Sequence, residues 1–327
     1  MAKERKGLKI FGVIIIILII LLVAILGGMY WFIHSKLEKM QQVDLKEEEL
    51  GVSAQAEENL TDFRNIAIFG IDSREDTYDR GNRSDCIIIA SINNKTKEVK
   101  LVSVYRDTYV QIQGYGLDKI THAYSYGSAP LAISTLNTNF DLNIKEFITV
   151  NFDAVKDIID SVGGISMPIT TEEVPHIAGI TKAGTYQLTG EQALSYARIR
   201  YAAGGDYKRT ERMRDVLTAV ANKVKTFDIS RLNKLVDTIL PRIYTNITAS
   251  DVFSMMPSVP NFKITESIGW PYETKGITMD RWYGIPITLE SNVIRLHNEV
   301  FAEKNYIPSE TVKDISNRIV QKTGYSK

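Results

Sequence analysis

The chain has 327 residues, with 39 Lys and Arg against 39 Asp and Glu, and a single cysteine, Cys86. A formal net charge of zero excludes a general nucleic-acid footprint, and one cysteine excludes a disulfide framework. Any anion-binding role must therefore come from local clustering of basic side chains.

The N-terminal segment predicts a membrane anchor. Residues 10–33 carry no charged side chain, and as a helix they are long enough to cross a hydrocarbon core of about 30 Å. A cleaved signal peptide, the alternative, would have a shorter apolar region, and the Met-Tyr-Trp-Phe run at 29–32 is typical of an interfacial aromatic belt. Four basic residues within 1–9 keep the N-terminus in the cytoplasm, so the remainder is expected outside it.

The chain therefore divides into five predicted parts. They are a cytoplasmic tail (1–9), a transmembrane helix (10–33), a charged juxtamembrane spacer (34–61), a catalytic domain (62–245) and a C-terminal extension packed on or following that domain (246–327).

Strand and helix signals alternate after residue 62. Strands are predicted at 65–71, 86–92, 99–104 and near 262–268, with a hairpin turn at 93–97. Helices are predicted at 128–139, 153–161, 189–197 (with a capping box at 189–192), from 206 onward, 230–240, 249–256 and 289–302. The mixture predicts an α/β (α+β-like) fold with a central mixed, largely antiparallel sheet flanked by helices and preceded by one transmembrane helix.

Acidic and basic residues cluster around the ends of the first three strands. If these strands form an antiparallel meander, Asp72, Asp85 and Arg106 lie on one edge of the sheet, near Arg74, Arg83 and Asp107. Two facing carboxylates repel each other unless a cation lies between them, and ligands with only oxygen donors indicate Mg²⁺ or Mn²⁺.

A second basic group follows between residues 198 and 214. Arg198 and Arg200 are two residues apart, so an extended segment presents both on one face. Arg209 continues the apolar stripe of the helix that begins near Asp206, and therefore points inward. An inward arginine needs an anion, and its planar fork matches phosphate. Surface ion pairs are the alternative for each residue taken singly, but the whole set predicts a metal-assisted phosphate site.

Other chemistries lack their motifs, since the sequence has no Gly-x-Ser-x-Gly elbow, Walker-type loop, Cys-pair metal site or His-Glu-x-x-His. His122 is interpreted as a hydrogen-bonded framework residue, and Lys119 as the better phosphate ligand. Cys86, in an apolar run, is interpreted as a buried structural thiol.

Seven ordered blocks resemble the LytR-CpsA-Psr family of bacterial envelope proteins. They are Asn65-Ile-Ala-Ile-Phe-Gly-Ile-Asp72-Ser-Arg74, Arg83-Ser-Asp85, Val102-Ser-Val-Tyr-Arg106-Asp107-Thr108, Lys119-Ile-Thr-His122-Ala-Tyr124, Asn151-Phe-Asp153 with Val162-Gly-Gly164, Leu188-Thr-Gly-Glu-Gln-Ala-Leu-Ser-Tyr-Ala-Arg198-Ile-Arg200, and Gly205-Asp206-Tyr-Lys-Arg209-Thr-Glu-Arg212. Tyr105 stands where the family usually has Pro, and Met213 where it commonly has Gln.

The resemblance implies a phosphotransferase that moves a glycopolymer from a polyprenyl-pyrophosphate carrier to peptidoglycan through a phosphodiester bond. It implies Mg²⁺, with Mn²⁺ as the alternative, held by Asp72 and Asp85, and an apolar tunnel for the prenyl chain between sheet and helices. The residues that it implies to be catalytic are Asp72, Arg83, Asp85, Arg106, Arg198 and Arg200. Those that it implies to bind the pyrophosphate are Arg74, Lys119, Asp206, Arg209 and Arg212.

Three other functions stay open on the sequence. A polyprenyl-pyrophosphate hydrolase would use the same site with water as the acceptor. A transcriptional regulator is disfavoured, because a cytoplasmic tail of about nine residues is too short for a DNA-reading fold. A polymer-binding module would not need paired carboxylates. Asp107 and Asp206 are the candidates for a general base, and Asp72→Ala and Arg106→Ala are each expected to abolish transfer while leaving the fold intact.

Overall fold

The computed structural model describes residues 41–73, 78–200, 205–227, 242–248 and 261–326, together with Arg231 and Asp251. In chain order, its strands are β1 (Gln41–Gln42), β2 (Phe63–Ile71), β3 (Ser84–Asn93), β4 (Glu98–Val104), β5 (Tyr109–Ile112), β6 (Gly116–Lys119), β7 (Glu146–Asn151), β8 (Ile165–Ile169), β9 (Gly184–Leu188), β10 (Tyr244–Thr245), β11 (Lys263–Trp270), β12 (Thr274–Thr278) and β13 (Trp282–Pro286). Its helices are α1 (Ala54–Asn59), α2 (Ile120–Phe140), α3 (Phe152–Ser161), α4 (Gly190–Ala197), α5 (Gly205–Val224), α6 (Leu289–Phe301) and α7 (Glu310–Thr323).

Seven strands form the central sheet in the order β1-β10-β7-β2-β3-β4-β11. The predicted antiparallel meander of β2, β3 and β4 is confirmed. The prediction that antiparallel pairs predominate is wrong, because three of the six pairs are parallel: β1 with β10, β2 with β7 and β4 with β11. In the last two of these pairs, the partner strands are joined by long connections that contain helices, which is the usual way in which parallel neighbours are joined.

Local side-chain hydrogen bonds explain why several elements begin and end as predicted. In the β3–β4 turn, Asn93 Oδ1 accepts from the backbone N–H groups of Lys95 and Thr96, each at 2.9 Å. At the start of α4, Thr189 and Gln192 form the predicted capping box, which satisfies N–H groups that the first turn leaves open.

The helix predicted at 128–139 is longer, because α2 starts at Ile120 and contains a kink. Gly127 and Ser128 depart from helical geometry there, and Pro130 lies in the first turn after the kink, where its missing N–H costs nothing. Within the described residues no helix is both long and apolar enough to cross a membrane. The predicted anchor at 10–33 lies outside those residues, as do most of the predicted helices at 230–240 and 249–256.

Alternation along the strands gives the sheet an apolar layer on each face. Ile87 and Ile89 of β3 pack with α2, α6 and α7, whereas Ile88 packs with Leu217 of α5 on the opposite face. Two residues of the predicted spacer, Leu50 and Leu60, are also buried in the first of these layers. The sheet is therefore a middle layer between two groups of helices, and β2, β4, β7 and β11 all end at the same edge of the sheet, where β3 begins.

Candidate active site

A cavity of about 470 Å³ opens at this edge of the sheet, and we call it the charged cavity. Asp72 directly follows β2, Asp85 is the second residue of β3, and both face the cavity. The structure brings these two carboxylates and three arginines of the second basic group, Arg198, Arg200 and Arg209, into one set of lining residues. That set is Asp72, Ser73, Asp85, Phe152, Asp153, Leu194, Arg198, Arg200, Arg209 and Met213.

Arg198 and Asp72 form an ion pair on the open side of the charged cavity. Arg198 Nη2 lies 3.3 Å from Asp72 Oδ1, and both side chains are about half exposed. The guanidinium carbon of Arg198 also lies 4.2 Å from the ring centroid of Phe152, a cation–π contact that restricts its position. An exposed pair of this kind exchanges partners readily, so both groups stay accessible to a ligand.

Asp85 begins a chain of ion pairs that runs away from the cavity. Its Oδ1 accepts from Arg106 Nη1 at 2.6 Å, while Arg200 Nη2 lies 3.9 Å from its Oδ2. Arg106 Nε is 3.7 Å from Asp107, which pairs in turn with Lys119 Nζ at 2.7 Å. Arg106 therefore contacts Asp85 directly on the side away from the cavity, and Lys119 is connected to Arg106 through Asp107.

Two arginines of α5 differ in their surroundings although they are one turn apart. Arg209 is 2% exposed and lines the charged cavity, as its place on the apolar stripe predicts. Arg212, also buried, pairs with Glu173 at 2.7 Å and donates to the backbone carbonyl of Ile199 at 3.3 Å. Since Ile199 lies between Arg198 and Arg200, Arg212 fixes the segment that carries these two side chains.

The remaining predicted site residues are not brought together with this group. Arg83 is exposed and, like Lys119 and Arg212, does not line the charged cavity. Arg74 lies outside the described residues; Asp206 belongs to the first turn of α5, and its side chain is not described. The phosphate-binding roles of these residues stay predictions.

Sequence reasoning missed the contribution of the N-terminus of α3. Phe152 and Asp153 line the charged cavity, and the Asn151 side chain caps this helix by accepting from the Ala154 N–H at 2.7 Å. The block Asn151-Phe-Asp153 was a usable signal. What the sequence does not reveal is that β7, which leads into α3, pairs with β2 and so ends beside Asp72.

A second cavity of about 250 Å³ lies between the sheet and helices α3, α4 and α5, and we call it the apolar cavity. Its wall is almost entirely hydrocarbon, with Ile88, Ile148, Val155, Ala193, Val216 and Val220 among its residues. Phe152, Leu194 and Met213 line both cavities, so the apolar cavity adjoins the charged one. Cys86 also lines it, and desolvation raises the pKa of this thiol to about 12, which keeps it neutral.

The carboxylates of the charged cavity fit a divalent ion whose other coordination positions are filled by a bound ligand and water. Within the described part of the chain, no cluster of three His, Cys, Asp or Glu side chains could hold a metal ion alone. Mg²⁺ commonly binds through one or two carboxylates together with phosphate oxygens and water. Asp72 and Asp85 face one cavity that has room for all of these, so the residues present fit such an ion.

Comparison with known proteins gives consistent matches over most of the chain. A model of the LytR_cpsA_psr family matches residues 28–283. The polyisoprenyl-teichoic acid–peptidoglycan teichoic acid transferase TagT of Bacillus subtilis is 33% identical over 230 residues, which is 66% of this chain and 71% of TagT. The corresponding TagU of Enterococcus faecalis is 32% identical over 255 residues, 76% of this chain and 82% of TagU.

Solved structures agree in fold. TagT bound to LIIa-WTA superposes with a TM-score of 0.61 at 27% identity, covering 73% of this chain and 91% of TagT. The LytR-CPS2A-psr family protein YwtF (TagT) with bound octaprenyl pyrophosphate lipid superposes with a TM-score of 0.57 at 25% identity, covering 74% and 92%.

Proposed function

The chain belongs to the LytR-CpsA-Psr family, and from this membership we propose that it transfers a glycopolymer from a polyprenyl-pyrophosphate carrier to peptidoglycan. Relatives about a third identical to it are teichoic acid transferases of this type. The observation that carries the proposal is the continuity of an arginine-lined cavity with an apolar one through Phe152, Leu194 and Met213. A lipid pyrophosphate matches this pair of cavities, because it joins an anionic head group to a hydrocarbon chain.

The donor is held by the two cavities together. Its prenyl chain lies in the apolar cavity, where burial of hydrocarbon favours binding. Its pyrophosphate lies among Arg198, Arg200 and Arg209, whose planar forks pair with phosphate oxygens. Arg209 is already desolvated, so its interaction with the anion is stronger than that of an arginine in water.

The reaction is a displacement at the phosphorus that bears the sugar. A hydroxyl oxygen of the acceptor forms the new P–O bond, the bond to the bridging oxygen of the pyrophosphate breaks, and prenyl phosphate leaves while the hydroxyl proton passes to a base. Positioning and charge neutralisation provide most of the catalysis in such transfers. The arginines of the charged cavity serve both needs, with Arg106 and Arg212 as positioning residues behind them.

Asp72 and Asp85 would hold Mg²⁺, or Mn²⁺ as the alternative. When bound, the ion would neutralise charge on the phosphate oxygens. Arg198 and Arg200, which pair with these carboxylates and line the cavity, would then turn to the phosphates, while Arg106 would keep its ion pair with Asp85.

Transfer is tested with the full chain in detergent, a synthetic prenyl-pyrophosphate saccharide, peptidoglycan fragments and Mg²⁺. The expected products are a phosphodiester-linked conjugate and prenyl phosphate, with loss of both on chelation and recovery with Mg²⁺. Sugar phosphate without conjugate would support the hydrolase instead. Unchanged transfer after chelation would remove the metal from the proposal.

We also propose that residues 10–33 anchor the chain in the membrane with the folded part outside the cytoplasm. The test labels single cysteines introduced at Lys3 and Ser35 with a membrane-impermeant thiol reagent in intact cells. The Ser35→Cys variant is expected to react and the Lys3→Cys variant is not. The unsubstituted chain, whose one thiol is Cys86, is labelled in parallel and gives the background. The reverse labelling pattern would contradict the orientation.

A further inference from the structure

Helix α5 packs on the central sheet through Leu217, which belongs to the same apolar cluster as Ile88. With 3.6 residues per turn, Arg209 and Tyr207 lie about 80° to either side of Leu217 around the helix axis. Arg209 is on the flank that lines the charged cavity, together with Met213. The first turns of α5 therefore face the cavity on one flank and the ends of β4 and β11 on the other.

Two contacts hold the flank of α5 that faces away from the cavity. Arg214, which is buried, donates from Nε to the Ser267 hydroxyl of β11 at 2.9 Å. Tyr207 contacts the ring of Tyr105, which directly follows β4. The two ring centroids are 4.6 Å apart and the rings are inclined by 74°, which is an edge-to-face contact. Tyr207 lies two turns before Arg214, so the tyrosine contact holds the start of the helix.

Tyr105 is itself held at a fixed place on the sheet. Its backbone N–H donates to the Trp270 carbonyl at the end of β11 at 2.9 Å. Its ring lies over Gly269, where a Cβ atom would come within 2.1 Å of the phenol oxygen and 2.7 Å of Cζ. Desolvation by burial raises the pKa of Tyr105, so the phenol is neutral at pH 7. The ring is therefore an uncharged, packed surface between β11 and the first turn of α5.

The place of Tyr105 limits how α5 can rotate about its axis. Because Tyr207 and Arg209 lie on opposite flanks, a rotation that carries one of them toward the sheet carries the other away from it. Tyr105 lies between Gly269 of the sheet and Tyr207, and so blocks movement of Tyr207 toward the sheet. The same contact therefore prevents the rotation that would move Arg209 away from the sheet edge that carries Asp85.

We propose that Tyr105 is a positioning residue that holds Arg209 in the place where this arginine meets the donor pyrophosphate. The inference rests on the proposed function and adds to it a residue outside the lining of the charged cavity. Tyr105 also directly precedes Arg106, whose guanidinium pairs with Asp85. One side chain thus keeps the two sides of the charged cavity, the strand ends and the start of α5, at a constant separation.

The test measures the binding of inorganic pyrophosphate to the full chain in detergent by calorimetry, with Mg²⁺ at one fixed concentration. Tyr105→Ala is expected to raise the Kd about tenfold, which corresponds to about 1.4 kcal/mol. Tyr105→Phe keeps a ring between Gly269 and Tyr207, and its Kd is expected to stay within about twofold of the wild-type value. Tyr115→Ala is the matched control and should leave the Kd unchanged, because Tyr115 is an exposed tyrosine that stacks on Tyr126 and does not line the charged cavity.

Double variants separate the positioning of Arg209 from a general loss of stability. In a chain that carries Arg209→Ala, the further substitution Tyr105→Ala should change the Kd less than about twofold, because the arginine that the ring positions is gone. Gly269→Ala displaces the ring of Tyr105 and should raise the Kd of the wild-type chain, but not that of Tyr105→Ala. Thermal unfolding of each variant shows whether the fold is intact. If Tyr105→Ala does not fold, Gly269→Ala with and without Arg209→Ala takes its place in the comparison.

A Kd of Tyr105→Ala within about twofold of the wild-type value would overturn the positioning role, and so would a loss of affinity that persists in full in the Arg209→Ala background. If the wild-type chain binds pyrophosphate but transfers no glycopolymer, the proposed function fails, and the Kd values still decide the role of Tyr105. If the wild-type chain binds no pyrophosphate, both proposals are overturned.

Discussion

The two carboxylates of the charged cavity are held in different ways. Asp72 is 62% exposed and pairs with Arg198, which is 47% exposed, whereas Asp85 is 15% exposed and belongs to a chain of four charged side chains. Exposed pairs contribute little to stability, while a buried pair that loses one member leaves an uncompensated charge. Substitutions at the two ends of the site should therefore differ in their effect on the fold.

Asp72→Asn is expected to reduce transfer at least a hundredfold without changing the melting temperature. It removes a charge from the proposed metal site, and charge stabilisation of this kind contributes several kcal/mol to catalysis. The same substitution at Asp62, whose side chain pairs with Lys95 at the surface, is the control and should not affect transfer. Transfer by Asp72→Asn at the wild-type rate would remove this residue from the site.

Arg106→Ala is expected to abolish transfer and also to destabilise the protein by about 2 kcal/mol, because Asp85 and Asp107 both lose a partner in a partly buried setting. The sequence alone predicted an intact fold for this variant, and the ion-pair chain changes that expectation. Urea unfolding of Arg106→Ala and of Asp72→Asn gives the two free energies of unfolding that are compared. Equal stabilities of the two variants would contradict this account.

The Glu173–Arg212 pair makes stability depend on pH. Burial by itself would raise the pKa of Glu173, but hydrogen bonds from Thr170 and Arg212 outweigh it, and the net effect lowers the pKa below 4.5. The ionised carboxylate therefore adds stability above pH 4.5, and this contribution is lost as the pH falls through 4.5 toward the lower pKa of the folded state.

Glu173→Gln should thus be less stable than wild type at pH 7, with a difference that shrinks below pH 4.5 in urea unfolding. It should also slow transfer, since Arg212 anchors the segment between Arg198 and Arg200. Glu191→Gln, on an exposed side chain near Lys156, is the control and should change neither property. A stability difference that stays constant from pH 7 to pH 3 would exclude the pKa effect.

At the scale of secondary structure, α5 serves both cavities. Arg209 and Met213 lie at the charged cavity, and Val220 lines the apolar cavity about 10 Å farther along the helix. One face of a single helix thus lines the charged cavity near its start and the apolar cavity along its length.

Val220→Trp is expected to obstruct the distal part of the apolar cavity. The kcat/KM for a long prenyl donor should fall at least tenfold, while that for a donor of two isoprene units should not change, because only the long chain reaches this depth. Asn222→Trp, on the exposed side of the same turn, is the control. Equal losses with short and long donors would indicate a general disturbance of α5 instead.

Local sequence patterns predicted the strands and helices better than they predicted which strands pair and which distant side chains come into contact. The β2–β3–β4 meander and the capping box of α4 depend on neighbours in sequence, and both were predictable. The pairing of β11 with β4 depends on contacts more than 150 residues apart, and no periodicity encodes it. The roles of Arg209 and Arg212 diverge for a similar reason, since the partner of Arg212, Glu173, comes from a distant loop.

At the scale of the whole molecule, the C-terminal part shares one core with the N-terminal strands. β11 extends the central sheet, and Trp270, fully buried, packs against Phe140 of α2. Asp141 accepts from the Ser309 backbone N–H at 2.8 Å and from its hydroxyl at 2.6 Å, which fixes the start of α7. The edge strand next to β4 and the β12–β13 hairpin both come from this part, and the hairpin donates a hydrogen bond from Gly284 to the Asp107 backbone carbonyl, so this part supports the loop that carries Arg106.

Two isoleucines test whether the whole chain unfolds as one unit. Ile315 is 1% exposed in the shared core, whereas Ile307 is 67% exposed at the surface. Ile315→Ala should lower the free energy of unfolding by about 3 kcal/mol, and Ile307→Ala by less than about 0.5 kcal/mol. Because the core is continuous, Ile315→Ala should shift a single transition, seen alike by tryptophan fluorescence and by loss of transfer. Two separate transitions would mean that the C-terminal part folds on its own and that β11 joins a sheet that is already formed.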